Sequence, residues 1–331
     1  MEIDDALTIG KLRGLRQLAD AQGFFIMTAM DHRGSLEKGL CIDPDADCFR
    51  LMVDFKLDLC RALAPASSGV LLDPIYGAAQ AIASGALPGN TGLLVSVEAT
   101  GYEGGKTARV TRLLDGWGVE KIKRLGASAV KMLVYFRPDS GDLATIQLDT
   151  VAKTAAQCRE HDIPFLVEPV SYALDGEDAE EYGAKKTDIV IATAKMMTAL
   201  PIDVLKTEFP ADMKLVTDEV RLLDACRALD AASAKPWVIL SAGADFSVFR
   251  RQVEMACRAG ASGFLGGRAI WQEAVAMTDR DARRRFFETT ALARLNELID
   301  LTRQWGRPWY RSADGIQEER ALPDADWYRN Y

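Results

Sequence analysis

Eight short apolar runs, each followed by a longer polar or helical stretch, set the tightest limit on what this chain can fold into. The runs lie at residues 24–29, 69–72, 93–97, 129–134, 165–168, 204–206, 238–240 and 263–265. They are apolar at successive positions rather than at every second one, the pattern of parallel strands buried on both faces. Helical stretches fall between them at 45–64, 119–125, 148–161, 187–199 and 246–259. Eight strand–helix units over roughly 250 residues match a closed (β/α)8 barrel. An open doubly wound sheet would place a Gly-rich fingerprint after its first strand, and MDHRGSL is not one. The expected fold is therefore α/β, a TIM barrel.

No composition shift or Pro/Gly/Ser linker divides the 331 residues. Residues 1–303 are expected to form one barrel domain with an N-terminal helix. Residues 304–331 read as a C-terminal extension, rich in Trp and Tyr, that packs on the barrel or on a subunit interface.

The net charge of -8 argues against nucleic acid as a partner, because neutralising phosphates needs a basic face. A local basic pocket for one small phosphate stays compatible with it. No stretch approaches the ~18 apolar residues of a membrane span. The first residues, MEIDDALTIGKLRGLRQLAD, lack the apolar core and cleavage site of a secretory signal. No membrane partner is expected, and the expected location is the cytoplasm. The six cysteines show neither a CxxC pair nor a disulfide-framework spacing, so all, Cys41 and Cys48 included, read as reduced thiols. With only His32 and His161 in the chain, a metal site built on three imidazoles is excluded.

In a barrel of this kind chemistry gathers where strands end and the following loops begin. Asp31, His32 and Arg33 follow the first strand, Asp73 the second and Glu98 the third. Lys131 lies inside the fourth, Glu168 ends the fifth, and Lys206 and Glu208 end the sixth. A lysine in an otherwise apolar strand, as in AVKMLV and DVLKTEF, cannot enter the helix-packed layer without a large desolvation cost, so both face the lumen. Like charge and burial would each favour a neutral amine, which is what a Schiff-base nucleophile requires. Spacing is equally compatible with a lumen Lys–Glu ion-pair network without chemistry, since Glu168 lies on the intervening strand.

Ser241-Ala242-Gly243 and Gly266-Gly267-Arg268 follow the last two strands. Backbone N–H groups from two such loops form a phosphate site in many barrels, and Arg268 would add a bidentate partner. Two other features mislead. Gly104-Gly105-Lys106-Thr107 resembles the end of a nucleotide-binding loop, but Thr100 stands where its first glycine belongs. Cys41 and Cys48 lack the further ligands a metal would need.

The segments AMDHRGSL, LLDPIYG, EATGYEG, GASAVKMLVYF, DIPFLVEPVSY, DVLKTEFP, LSAG and GFLGGRAIW occur in the order found in class I tagatose 1,6-bisphosphate aldolases, which the chain resembles from about residue 20 to residue 275. The resemblance implies a TIM barrel that cleaves a ketohexose 1,6-bisphosphate to dihydroxyacetone phosphate and glyceraldehyde 3-phosphate, with no cofactor and no metal. It implies Lys206 as the Schiff-base lysine, Glu168 as the acid/base carboxylate, and Lys131 and Asp31 as assisting groups. Ser241, Gly243, Gly267 and Arg268 would hold the phosphate of the dihydroxyacetone half, with His32 and Arg33 elsewhere in the substrate pocket. The family usually has Gln at the position of His32. It also implies a homo-oligomer, a dimer or a tetramer.

Sulfofructose-phosphate aldolases, a close branch, carry a sulfonate in place of the distal phosphate and are the first alternative. A non-catalytic sugar-phosphate sensor on the same scaffold is a second, and it would form no imine. A sugar-phosphate isomerase is a third, and it would need no strand-six lysine.

Overall fold

Eight parallel strands close on themselves in chain order, each hydrogen-bonded to its neighbours and the first to the last. They are β1 (Phe25–Ala29), β2 (Gly69–Leu72), β3 (Gly92–Ser96), β4 (Ala129–Tyr135), β5 (Phe165–Val170), β6 (Val204–Thr207), β7 (Trp237–Leu240) and β8 (Gly263–Gly266). This computed structural model describes residues 7–312, 315–316, 323, 325–329 and 331. Each apolar run forms its strand with ends moved by no more than two residues.

Helix α1 (Ile9–Leu18) precedes the barrel, and β1 is followed by α2 (Gly34–Leu40) and α3 (Cys48–Leu63). Around the outside follow α4 (Ala78–Ala83), α5 (Val119–Arg124), α6 (Asp142–Glu160), α7 (Ala179–Thr198), α8 (Glu219–Ala232) and α9 (Phe246–Ala259). Beyond β8 come α10 (Arg268–Trp271), α11 (Arg280–Phe286) and α12 (Leu292–Trp305). Helix α7 starts eight residues earlier than the apolar pattern suggests, because Asp178 and Glu181 form a reciprocal capping box at its first turn. No helix among the described residues is long and apolar enough to cross a membrane.

Alternation along each strand sorts its side chains into two layers. One set (Ile26, Val70, Val95, Val130, Val167, Leu205, Ile239 and Phe264 among it) packs outward against the helices. The other, including Phe25, Met27, Leu71, Leu94, Ala129, Leu166, Val204, Val238 and Leu265, fills the lower lumen. Helix α1 closes that end with Leu15 and Leu18, and Trp309 joins them, its ring stacked 6.3 Å from Phe25. Closure between β8 and β1 depends on Gly263 (φ +140°), where a Cβ would lie 2.1 Å from the Phe25 carbonyl oxygen.

Of the aromatic C-terminal extension, Trp309 is buried, whereas Trp305, Trp327, Tyr328 and Tyr331 are exposed. Residues 313–314, 317–322, 324 and 330 of that extension lie outside the described residues.

One expectation is corrected here. Cys41 and Cys48 are joined by a disulfide, not held as two thiols. The turn between α2 and α3 brings their Cα atoms to 5.4 Å, within bridging distance, although the spacing of seven resembles no disulfide framework. Cys60, Cys158, Cys226 and Cys257 are free and buried, as fillers of the core.

Candidate active site

The alternation that places Ala129, Leu166 and Val204 in the lumen also dictates what stands above them. Two residues further along each strand, on the same face, come Lys131, Glu168 and Lys206. Asp31 bears the same relation to Ala29, and Glu98 to Ser96 and Leu94. Five ionisable side chains thus meet at the C-terminal end of the strands, above an apolar plug.

Their geometry is that of an ion-pair cluster of three carboxylates and two lysines. Lys131 Nζ lies 2.9 Å from Asp31, 2.6 Å from Glu98 and 2.9 Å from Glu168. Lys206 Nζ donates to Glu168 Oε1 at 2.7 Å. Glu168 therefore bridges the two lysines, one oxygen to each. Burial acts against every charge here, pushing Asp31 and Glu168 upward and Lys131 downward, but the opposite charges outweigh it. Asp31 and Glu168 are held below the usual carboxylate range and Lys131 well above the usual lysine range. The expectation that both lumen lysines are driven toward the neutral form fails for Lys131, since three carboxylates fix its charge. Its ammonium also occupies the centre that those carboxylates would otherwise offer a metal ion. Among the described residues Lys206 pairs with one carboxylate, Glu168, against three for Lys131.

The cluster lines the floor of an open cavity of about 730 Å³. On the side of β7 and β8 the wall is formed by Ser241, Ala242, Gly243, Gly267 and Arg268. Gly243 adopts φ +73°, and a Cβ there would come within 3.2 Å of the Arg268 guanidinium, so the glycine lets the arginine lie against the loop. Arg268 Nε is buried with no hydrogen-bond partner. A buried guanidinium nitrogen without a partner is costly, and an anion in the adjoining cavity would satisfy it.

Arg33 also reaches the cavity. Its Nη2 donates to the Glu98 carbonyl at 2.7 Å, while Nη1 is buried and unpartnered. His32 stands edge-on to Trp271, with ring centroids 5.1 Å apart, and its Nδ1 lies 3.8 Å from Asp31. Burial, opposed by Asp31 and aided by the Arg268 and Lys206 charges, pulls its imidazole down to a pKa of about 4, so it is neutral near pH 7. The ten residues that the resemblance implies for the site all border this one cavity. Asp73 does not: it ends β2 but turns to an ion pair with buried Lys56 and caps the backbone of Ile75 and Tyr76.

Several lining residues escaped the sequence reading, among them Ser35, Lys38, Tyr135 and Arg109. Glu98 was noted at its strand end without a role, although its parity with Leu94 already pointed it inward.

A family model described as DeoC/LacD family aldolase matches residues 25–273. The tagatose 1,6-diphosphate aldolase of Lactococcus lactis is 32% identical over 92% of this chain and 98% of its own length. Tagatose 1,6-diphosphate aldolase 1 of Enterococcus faecalis is 31% identical over 89% of this chain and 95% of its own. An archaeal fructose 1,6-bisphosphate aldolase superposes with a TM-score of 0.60 at 22% identity, covering 87% of this chain and 97% of that one, a likeness of fold.

Proposed function

The chain belongs to the DeoC/LacD family of aldolases, and from that premise we propose that it cleaves tagatose 1,6-bisphosphate through a Schiff base on Lys206. The products are dihydroxyacetone phosphate and glyceraldehyde 3-phosphate. The observation that carries this reading is the 2.7 Å contact between Lys206 and a carboxylate anchored on its other oxygen by a second, permanently charged lysine.

The chemistry follows from that arrangement. Lys206 loses a proton, and its neutral amine attacks the C2 carbonyl to give a carbinolamine. Glu168, protonated by that transfer, returns the proton to the carbinolamine hydroxyl, which leaves as water and yields the protonated imine. The carboxylate then takes the proton of the C4 hydroxyl as the C3–C4 bond breaks, releasing the aldehyde. The bonding electrons flow into the imine, leaving an enamine stabilised as no free carbanion would be. Protonation at C3 and hydrolysis of the imine release dihydroxyacetone phosphate and free the lysine. Lys131 stays charged throughout and supports the negative oxygen atoms that develop beside it, with Asp31 and Glu98 balancing its charge. Ser241, Gly243, Gly267 and Arg268 hold the C1 phosphate, whose dianion satisfies the orphaned Arg268 Nε. Arg33 and His32 line the part of the pocket taken by the remainder of the sugar. The substrate is a charged sugar phosphate that does not cross membranes unaided, which supports a cytoplasmic location.

Borohydride reduction in the presence of dihydroxyacetone phosphate tests the proposal. The reduced adduct is expected on the peptide that contains Lys206, with Lys206→Ala losing both label and cleavage and Lys131→Ala retaining label at reduced turnover. Cleavage without an adduct, or an adduct on Lys131, overturns it.

A further inference from the structure

We propose that Arg109, caged by three tyrosines, recognises the anion at the end of the substrate farthest from the Arg268 site. The proposal rests on the aldolase reading and names the residue that selects its bisphosphate.

Arg109 belongs to the loop joining β3 to α5, which folds back as a two-stranded ribbon. Glu103 and Val110 exchange both backbone hydrogen bonds at 2.9 Å, and Ala99 N–H donates to the Arg112 carbonyl at 2.8 Å. The ribbon turns at Gly104 (φ +82°), where a Cβ would meet the Ala108 carbonyl oxygen at 2.1 Å. The Gly-Gly-Lys-Thr segment that mimics a nucleotide loop is therefore the turn that returns the chain to Arg109.

The guanidinium carbon of Arg109 lies 4.7 Å from the ring centre of Tyr102, 5.3 Å from Tyr172 and 5.4 Å from Tyr135. These rings come from the ribbon itself, from the segment after β5 and from the end of β4. Backbone hydrogen bonds fix Arg109 and two of these tyrosines in place. The buried Gln147 amide of α6 donates to the carbonyls of Arg109 and Tyr135, at 3.2 and 3.0 Å. Tyr135 N–H donates to Thr111 Oγ1 at 2.9 Å, and Arg137 Nη1 donates to the Tyr172 carbonyl at 2.8 Å.

Only Arg109 Nε has a hydrogen-bond acceptor, the Lys106 carbonyl at 2.8 Å, and Arg109 makes no ion pair among the described residues. Stacking on aromatic faces holds a guanidinium in place while leaving the edge donors available, which suits bidentate recognition of a phosphate. Arg109 borders the same cavity as Lys206 and Arg268. In a closed eight-stranded order, the loops after β3 and β4 lie across the mouth from those after β7 and β8. A ligand with its C1 phosphate on Arg268 thus extends its other end toward Arg109, where a phosphate monoester meets a cation with no carboxylate to displace.

The test compares tagatose 1,6-bisphosphate with tagatose 1-phosphate as substrates of the full-length enzyme and of Arg109→Ala. The preference for the bisphosphate in kcat/KM is expected to fall at least tenfold, mainly through KM, with Arg109→Lys intermediate because it keeps charge but loses the fork and the stacking. Tyr172→Leu is expected to lower the same preference by a smaller factor, and a purely structural role would instead change both substrates in parallel. A preference that survives in Arg109→Ala, or falls equally in Arg109→Ala and Arg109→Lys, overturns the assignment to this guanidinium. Trapping with dihydroxyacetone phosphate separates the two claims: a wild-type enzyme that is not trapped overturns the aldolase reading, whereas trapped variants with unchanged preference overturn this one.

Discussion

Glu168 Oε1 and Lys206 Nζ meet at 2.7 Å on adjacent strands, each two residues above an apolar side chain of the lumen plug. A base and a nucleophile in this relation share a proton, so either can act only when the other holds or releases it. In the proposed reaction, this contact would tie both carbinolamine formation and bond cleavage to one carboxylate.

Replacement of Glu168 by Gln is therefore expected to lower kcat by about 10²–10⁴, the usual contribution of general acid–base catalysis, with a small change in KM. Steady-state kinetics check this, and a kcat within threefold of wild type would remove Glu168 from the mechanism.

In the proposed complex, Arg268→Ala would take away a charge-assisted bond to the C1 phosphate worth roughly 1.5–3 kcal/mol. KM for the ketose bisphosphate should rise at least about tenfold, and reductive trapping of dihydroxyacetone phosphate on Lys206 should need a correspondingly higher concentration. An unchanged KM in a folded variant would place the C1 phosphate elsewhere.

Because the Lys131 ammonium fills the space between three carboxylates, exhaustive chelation should leave cleavage intact. Activity lost to EDTA and restored by zinc would contradict the Schiff-base route.

The pH dependence of stability follows from His32. Its imidazole titrates near 4 in the fold and near 6.5 when unfolded, so the unfolded chain binds the extra proton between those values. Stability is full above pH 6.5 and declines as the pH falls toward 4, by about 3 kcal/mol at most for this group. Chemical denaturation at pH 7.5 and 4.5 should show a smaller acid loss in His32→Gln than in wild type. Equal losses would mean that another group governs this window.

The disulfide between Cys41 and Cys48 closes a short loop, and closure of such a loop restricts the unfolded chain by about 2 kcal/mol. Reduction should shift the denaturation midpoint downward, and the Cys41→Ser/Cys48→Ser variant should match the reduced protein and ignore reductant. A midpoint indifferent to reductant in the wild type would argue that the bond does not form in solution.

The barrel and the lumen lysines were legible because both follow from local rules: runs apolar on both faces make buried strands, and a charge inside such a run has only the lumen to enter. What could not be read locally depended on distant partners. The charge state of Lys131 is set by Asp31, Glu98 and Glu168, which are brought to it from three other strands. Arg109 carries no local signal, because its three tyrosines are scattered over seventy positions of sequence. The early start of α7 is a different case. Asp178 followed three residues later by Glu181 is a capping signal in plain sight, overlooked because the apolar periodicity begins only later in that helix.

The floor beneath the lumen joins α1, near one end of the chain, to Trp309, near the other. A nascent chain emerging from the ribosome can pair its eight strands before residue 309 exists, but Phe25 then lacks the indole that covers it from below. The contact between Phe25 and Trp309 can form only once residue 309 has been made. A shortened product ending before Trp309 would keep α1 beneath the lumen but lose the ring stacked on Phe25, although all five ionisable residues at the other end of the strands had already been made.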